Sequence, residues 1–234
     1  MKPFRLLALM LICALAWPVA AQVRVLVGST SRFAPDAGGQ GYVYDVVRAM
    51  AKQIGYTKEF ELMPWERARM IAENSNDVLI IPVVRIPKRE ERFLWLALLL
   101  EDDFVLVSQK PIEMAEVARR NICVLRGSAV LDVTTRLGYT HLDFSVDEEH
   151  ALHRLLAGNC DIWIVGRRPA KVLIEQAGLQ FADFHVSPPL QHFSMYLAAS
   201  RNFDVGEAKR WQAAYEVISA DGTLAAIRHR YQIE

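Results

Sequence analysis

Short apolar runs rich in β-branched residues alternate along this chain with longer stretches whose apolar positions recur at helical spacing. Val23 to Gly28 (VRVLVG) reads as a first strand and runs into a Gly/Ser/Pro-rich loop, Ser29 to Gly41. Asp45 to Gly55 (DVVRAMAKQIG) carries a 3.6-residue periodicity and stops at a glycine, so it predicts a helix. Lys58 to Met63 reads as strand, Trp65 to Glu73 as helix and Asp77 to Ile81 as strand. A β-α-β-α-β order implies a parallel sheet with helices on its faces.

The pattern then restarts. Phe104 to Ser108 and Asn121 to Leu125 (NICVL) read as strands, and a helix is expected after Arg126-Gly127-Ser128. Leu142 to Val146 is a predicted strand, Glu148 to Ala157 a helix and Asp161 to Val165 (DIWIV) a strand. Two such units in series, each of roughly 90 residues, argue for two lobes. Phe193 to Ala199 is a late strand, and Val205 to Ser219 and Thr223 to Tyr231 are closing helices.

Composition changes the picture at the amino terminus. MKPFRLLALMLICALAWPVAAQ has a basic start (Lys2, Arg5), an apolar stretch from Leu6 to Trp17, and small residues at Val19-Ala20-Ala21. That is the layout of a secretory signal, cleaved before Gln22, and the apolar stretch is short for a bilayer span. The expected mature protein is exported, soluble and periplasmic. Lys plus Arg (27) balance Asp plus Glu (27), so no basic surplus points to nucleic acid. Past the leader only Cys123 and Cys160 remain, too few for a disulfide scaffold but enough for one bridge in an oxidising compartment.

Several segments, taken in order, resemble the family 3 periplasmic solute-binding proteins, which serve ABC importers of polar amino acids. They are GYVYDVVRAMAKQIGY, PWERARMIAENSNDVLIIPVVRIPKREERF, NICVLRGSAV, DEEHALHRLLAGNCDIWIV and ADGTLAAIRHRY. The resemblance implies a two-lobed α/β periplasmic-binding-protein fold. Each lobe would be a mostly parallel sheet flanked by helices, with the ligand cleft between them. Lobe 1 would comprise residues 22–100 and 198–234, and lobe 2 residues 101–197. Crossovers are expected near Leu99–Phe104 and Leu197–Arg201, with the last helices returning to lobe 1. The implied partners are a small-molecule ligand and either the membrane permease of an ABC importer or a membrane sensor. A monomer with no cofactor, no metal and no catalytic residue is expected.

Open parallel sheets bind ligands beyond the carboxyl ends of their strands, where helix N-termini expose backbone donors. Three such ends stand out: Gly28 to Pro35, Pro82 to Arg89 and Arg126 to Ala129. Arg89 falls where the family places the arginine that pairs with the ligand's carboxylate, a task suited to a planar fork of donors. Arg85 lies on the same loop. Ser128, at a helix start, could hold the same carboxylate from the opposite lobe. Phe33 and Trp65 match positions of aromatic walls, whereas Tyr42 and Tyr44 read as packing. His150 and His153 beside Glu148 and Glu149 read as helical surface, since no further metal ligands cluster nearby. Neither a Gly-rich phosphate loop nor a G-x-S-x-G elbow occurs.

The chain also departs from the family. Hydroxyl residues expected after the third strand are replaced by Pro82 and Val84. The acid expected after DIWIV to receive an ammonium is replaced by Gly166, followed by Arg167. An ammonium without a partner is poorly solvated in a closed cleft. The expected ligand is therefore a carboxylate or dianion, held by Arg89, Arg85, Arg167 and Ser128. An enzyme on the same scaffold, of the cyclohexadienyl dehydratase kind, would need a cleft acid or base. Glu66 and Asp36 are the candidates. In a 2-1-3 sheet order the strands bearing Cys123 and preceded by Cys160 are neighbours, so these residues form a bridge or remain two buried thiols.

Overall fold

The computed structural model describes residues 23–29 and 41–233; the leader, Phe33 and Asp36 lie outside them. The first unit runs β1 (Arg24–Ser29), α1 (Tyr42–Gln53), β2 (Glu61–Pro64), α2 (Trp65–Glu73) and β3 (Val78–Val84). β1 lies between β2 and β3 and pairs with both in parallel. β3 is buried almost throughout, as a strand covered on both faces must be. It continues three residues past Ile81, through Pro82. Proline donates no ladder hydrogen bond, and the pairing with the next strand shifts register between Ile80 and Val83.

The second unit repeats the plan with β5 (Ile122–Leu125), α3 (Val130–Leu137), β6 (Leu142–Ser145), α4 (Glu148–Leu156), β7 (Ile162–Gly166) and α5 (Arg167–Gln176). β5 is again central, paired in parallel with β6 and β7. Cys123 of β5 and Cys160, just before β7, are joined by a disulfide with Cα atoms 5.9 Å apart. The helix α5 was not foreseen. Pro169 stands in its first turn, where proline is well tolerated.

Two long strands join the units. β4 (Phe93–Ser108) and β9 (Gln191–Ser200) run antiparallel to each other from Phe93↔Ser200 to Phe104↔Gln191. β9 then pairs with β3, and β4 with β7 and with the short β8 (His185–Val186). The strand order is β2-β1-β3-β9-β4-β7-β5-β6. The crossovers are therefore longer than the predicted Leu99–Phe104 and Leu197–Arg201. The run LWLALLL shows no clean alternation, because both faces of this stretch are largely covered.

α6 (Val205–Ala220) and α7 (Thr223–Arg230) pack on α1, returning the chain to the first unit. Trp211 of α6 is fully buried there, edge-on to Tyr56 at 5.6 Å. Among the described residues, no helix is long and apolar enough to cross a membrane.

Candidate functional site

The carboxyl end of β3 faces those of β5 and β7 across a cavity of about 50 Å³. That space holds only a water or two. The first unit contributes Trp65, Pro82, Val84 and Arg89; the crossover strands contribute Phe104, Phe193 and Met195. Phe104 and Phe193 stack with centroids 4.0 Å apart. The second unit contributes Leu125, Ser128, Ala129, Glu148, Gly166 and Pro169.

Arg89 ends a short 3-10 turn, Pro87–Arg89, and is only 6 % exposed. Its guanidinium donates to Val84 O at 3.0 Å and, across the cleft, to Gly127 O at 3.0 Å. It also lies over the Trp65 ring, 5.2 Å from the centroid. Burial, with Arg69 nearby, lowers its pKa to about 10, so it stays charged at neutral pH. The rest of its charge run is exposed. Arg85 pairs with Glu90 and lies over Trp95 and Tyr196, so the structure turns it away from the cavity.

Trp65, the first residue of α2, is buried and donates Nε1–H to Gly127 O at 3.1 Å. Its ring lies against Gly28; a Cβ there would come within 2.7 Å of the indole. Gly127 thus receives donors from two residues of the opposite unit. Its φ of +68° suits glycine, and a Cβ would collide with the Glu66 carboxylate. Lys88 reaches Asp132 across the same gap. These contacts hold the cleft shut, and a ligand of amino-acid size enters only if the units separate.

Ser128 lines the cavity, and its Oγ accepts from Val130 N at the start of α3. Arg167, in the first turn of α5, instead donates to Ser187 O at 3.2 Å and is not among the cavity-lining residues. The cationic wall expected from Arg89, Arg85 and Arg167 is thus reduced to Arg89 alone. Glu66 is ion-paired with Arg69. Among the described residues, no group of three or more His, Cys, Asp or Glu could hold a metal ion.

One ionisable lining residue escaped the sequence reading. Glu148, in DEEH at the start of α4, is 9 % exposed while Glu149 and His150 face solvent. Its Oε2 accepts from Trp163 Nε1 at 2.8 Å. Burial, reinforced by Asp147 and partly offset by the indole donor, pushes its pKa up to about 8. Helical periodicity carried the signal: Glu148 is three before Ala151 and four before Leu152, both buried.

Gly166 has a second consequence. With no side chain to cap α5, the helix takes Asp102 Oδ2 of β4 as acceptor for Arg168 N at 3.0 Å. That carboxylate fills the space beside Gly166, 2.9 Å from where a Cβ would stand.

Residues 29–234 match the family described as bacterial extracellular solute-binding proteins, family 3. A search of curated proteins gave no sequence match. Among solved structures, a histidine kinase sensor domain with similarity to periplasmic binding proteins superposes with a TM-score of 0.80 at 18 % identity, covering 90 % of this chain and 96 % of the other. The substrate-binding protein of an amino acid ABC transporter gives 0.78 at 14 %, covering 89 % and 98 %. The arginine-, lysine-, histidine-binding protein ArtJ from the thermophilic bacterium Geobacillus stearothermophilus gives 0.77 at 17 %, covering 90 % and 94 %. At these identities the likeness establishes a two-lobed periplasmic-binding-protein fold.

Proposed function

The chain belongs to the family 3 extracellular solute-binding proteins, and from that premise we propose that it captures a small organic anion or amino-acid-like ligand in the periplasm for an ABC importer. The observation that carries this reading is Arg89: a charged fork, buried in the cleft between the lobes, with Trp65 on its face and Gly127 opposite. A guanidinium that donates to a carbonyl of the other lobe in the shut cleft can exchange that acceptor for a carboxylate when the lobes open. β4 and β9, the two strands that join the lobes, are the natural hinge, and ligand contacts to both lobes bias closure. On this reading lobe 1 is residues 22–100 and 198–234, lobe 2 is 101–197, and residues 1–21 are removed on export. This reading asks no residue of the cleft to do chemistry; of the two acids considered, Glu66 is held by Arg69 and Asp36 lies outside the described residues. A thermal-shift screen of a metabolite library tests the proposal. A tight ligand should raise the melting temperature of the wild-type protein, and of Arg89→Ala far less.

A second reading has its own support. The sensor domain of a histidine kinase shares this fold over nearly its whole length. In that case the same capture event would signal to a membrane receptor. Genes beside this one decide between the two: a permease and ATPase favour import, a sensor kinase favours signalling.

A further inference from the structure

The buried acid in the second lobe has no role in the reading above, and its surroundings suggest one. Glu148 is 9 % exposed, lines the same cavity as Arg89, and spends one oxygen on the Trp163 indole. Among the described residues its other oxygen has no hydrogen-bond partner, and no cation lies within ion-pair distance of it. Among the described residues, no charged group on the elements around it pairs with it. Asp147 caps His150 N, and Asp143 of β6 pairs with Arg154. Glu149 faces His153, and Arg126 lies over Phe144. On α5, Arg167 donates to Ser187 O and Lys171 faces Glu175, while Arg168, whose backbone N–H meets Asp102, forms no ion pair with Glu148. β5 and β7 carry no charged residue. Across the cleft, Arg89 is satisfied by Val84 O and Gly127 O.

An uncompensated carboxylate in such a place is strongly disfavoured, whereas a carboxylic acid is a good donor there. The geometry points to Glu148 as a ligand contact that carries a proton: it donates O–H to an oxygen of the bound anion, whose other oxygens Arg89 holds, so capture is coupled to that proton. This inference deepens the anion reading above and rests on it. The elevated pKa of about 8 agrees with the geometry.

Two measurements on the mature protein test the inference. The first needs no ligand: the Trp163 indole N–H resonance, assigned with Trp163→Phe, is followed through a pH titration. It should move with a midpoint near 8 in wild type and stay still in Glu148→Gln. A midpoint below about 6 overturns the proposal. The second is isothermal titration with succinate and glutarate, each beside its amino counterpart, aspartate and glutamate, at pH 7 and pH 9. The carboxylates should bind wild type about 10-fold more weakly at pH 9, because the binding-competent fraction falls by that factor. Glu148→Gln, a permanently neutral donor, should keep the pH 7 affinity at both pH values. Affinity that rises with pH, or a Gln variant that loses aspartate or glutamate binding, would make Glu148 an ammonium acceptor and overturn the coupling. Carboxylates that bind equally at both pH values overturn the coupling alone. If none of the four probes binds, the coupling falls together with the anion reading.

Discussion

Two charge runs, one in each lobe, meet at the cleft. PKREER follows the third strand of lobe 1, and DEEH follows the second strand of lobe 2. In each, only one charged member is buried: Arg89 at 6 % exposure and Glu148 at 9 %. Their environments differ. Arg89 finds two carbonyls and an aromatic face, so it keeps its charge although burial lowers its pKa to about 10. Glu148 finds a single indole donor and no cation, so burial pushes it up to about 8 and it is mostly neutral near pH 7. A buried charge survives where fixed dipoles replace its hydration shell and is neutralised where they do not.

The largest expected effect comes from breaking the cationic side. Arg89→Ala should weaken binding of any ligand found in the screen by about 2–5 kcal/mol, measured by isothermal titration. It should also lower stability by about 1–3 kcal/mol in urea unfolding, since Val84 O loses its side-chain donor and Gly127 O one of its two. An unchanged affinity would remove Arg89 from the site. Next comes the brace found only in lobe 2. Replacing Cys123 and Cys160 by serine opens a bridge spanning 37 residues. It should cost about 3–4 kcal/mol, and hydrogen exchange should speed up in β5 and β7 while β1 and β3 stay protected. Uniform acceleration in both lobes would show that they unfold as one unit.

Neutralising the acidic side should have the opposite sign. The folded pKa of Glu148 lies above its unfolded value. The stability it contributes is therefore complete below the unfolded pKa and is lost as pH rises towards about 8. Glu148→Gln should match wild type near pH 4 and exceed it at pH 8 by an amount on the order of 2 kcal/mol. Equal stability of the two proteins at pH 8 would mean that Glu148 ionises freely. The smallest effect belongs to Arg85, a member of the first run that faces outward. Arg85→Ala should change stability by less than about 0.5 kcal/mol and leave ligand affinity unaltered. A large loss of affinity would bring Arg85 back into the cleft.

Much of this protein is determined by local pattern. Alternating strand and helix periodicities define both α/β units, and the Trp65–Glu73 helix appears in the structure with the predicted bounds. The placement of Arg89 at the end of a buried strand is equally local. Where periodicity is absent the reading stops short. β4 begins at Phe93, eleven residues before its predicted start, because a strand covered on both faces shows no alternation. Only the tertiary structure decides which of several like charges is buried. Arg85 and Arg89 are four residues apart on one loop, yet one lies over Trp95 and the other over Trp65. The acid missing at Gly166 is likewise a question of three dimensions. Asp102 fills the vacated space and caps α5, and Glu148 reaches the cavity from a different helix. Burial and partnering are properties of contacts between residues far apart in the chain, and those contacts set both the charge of a side chain and its role.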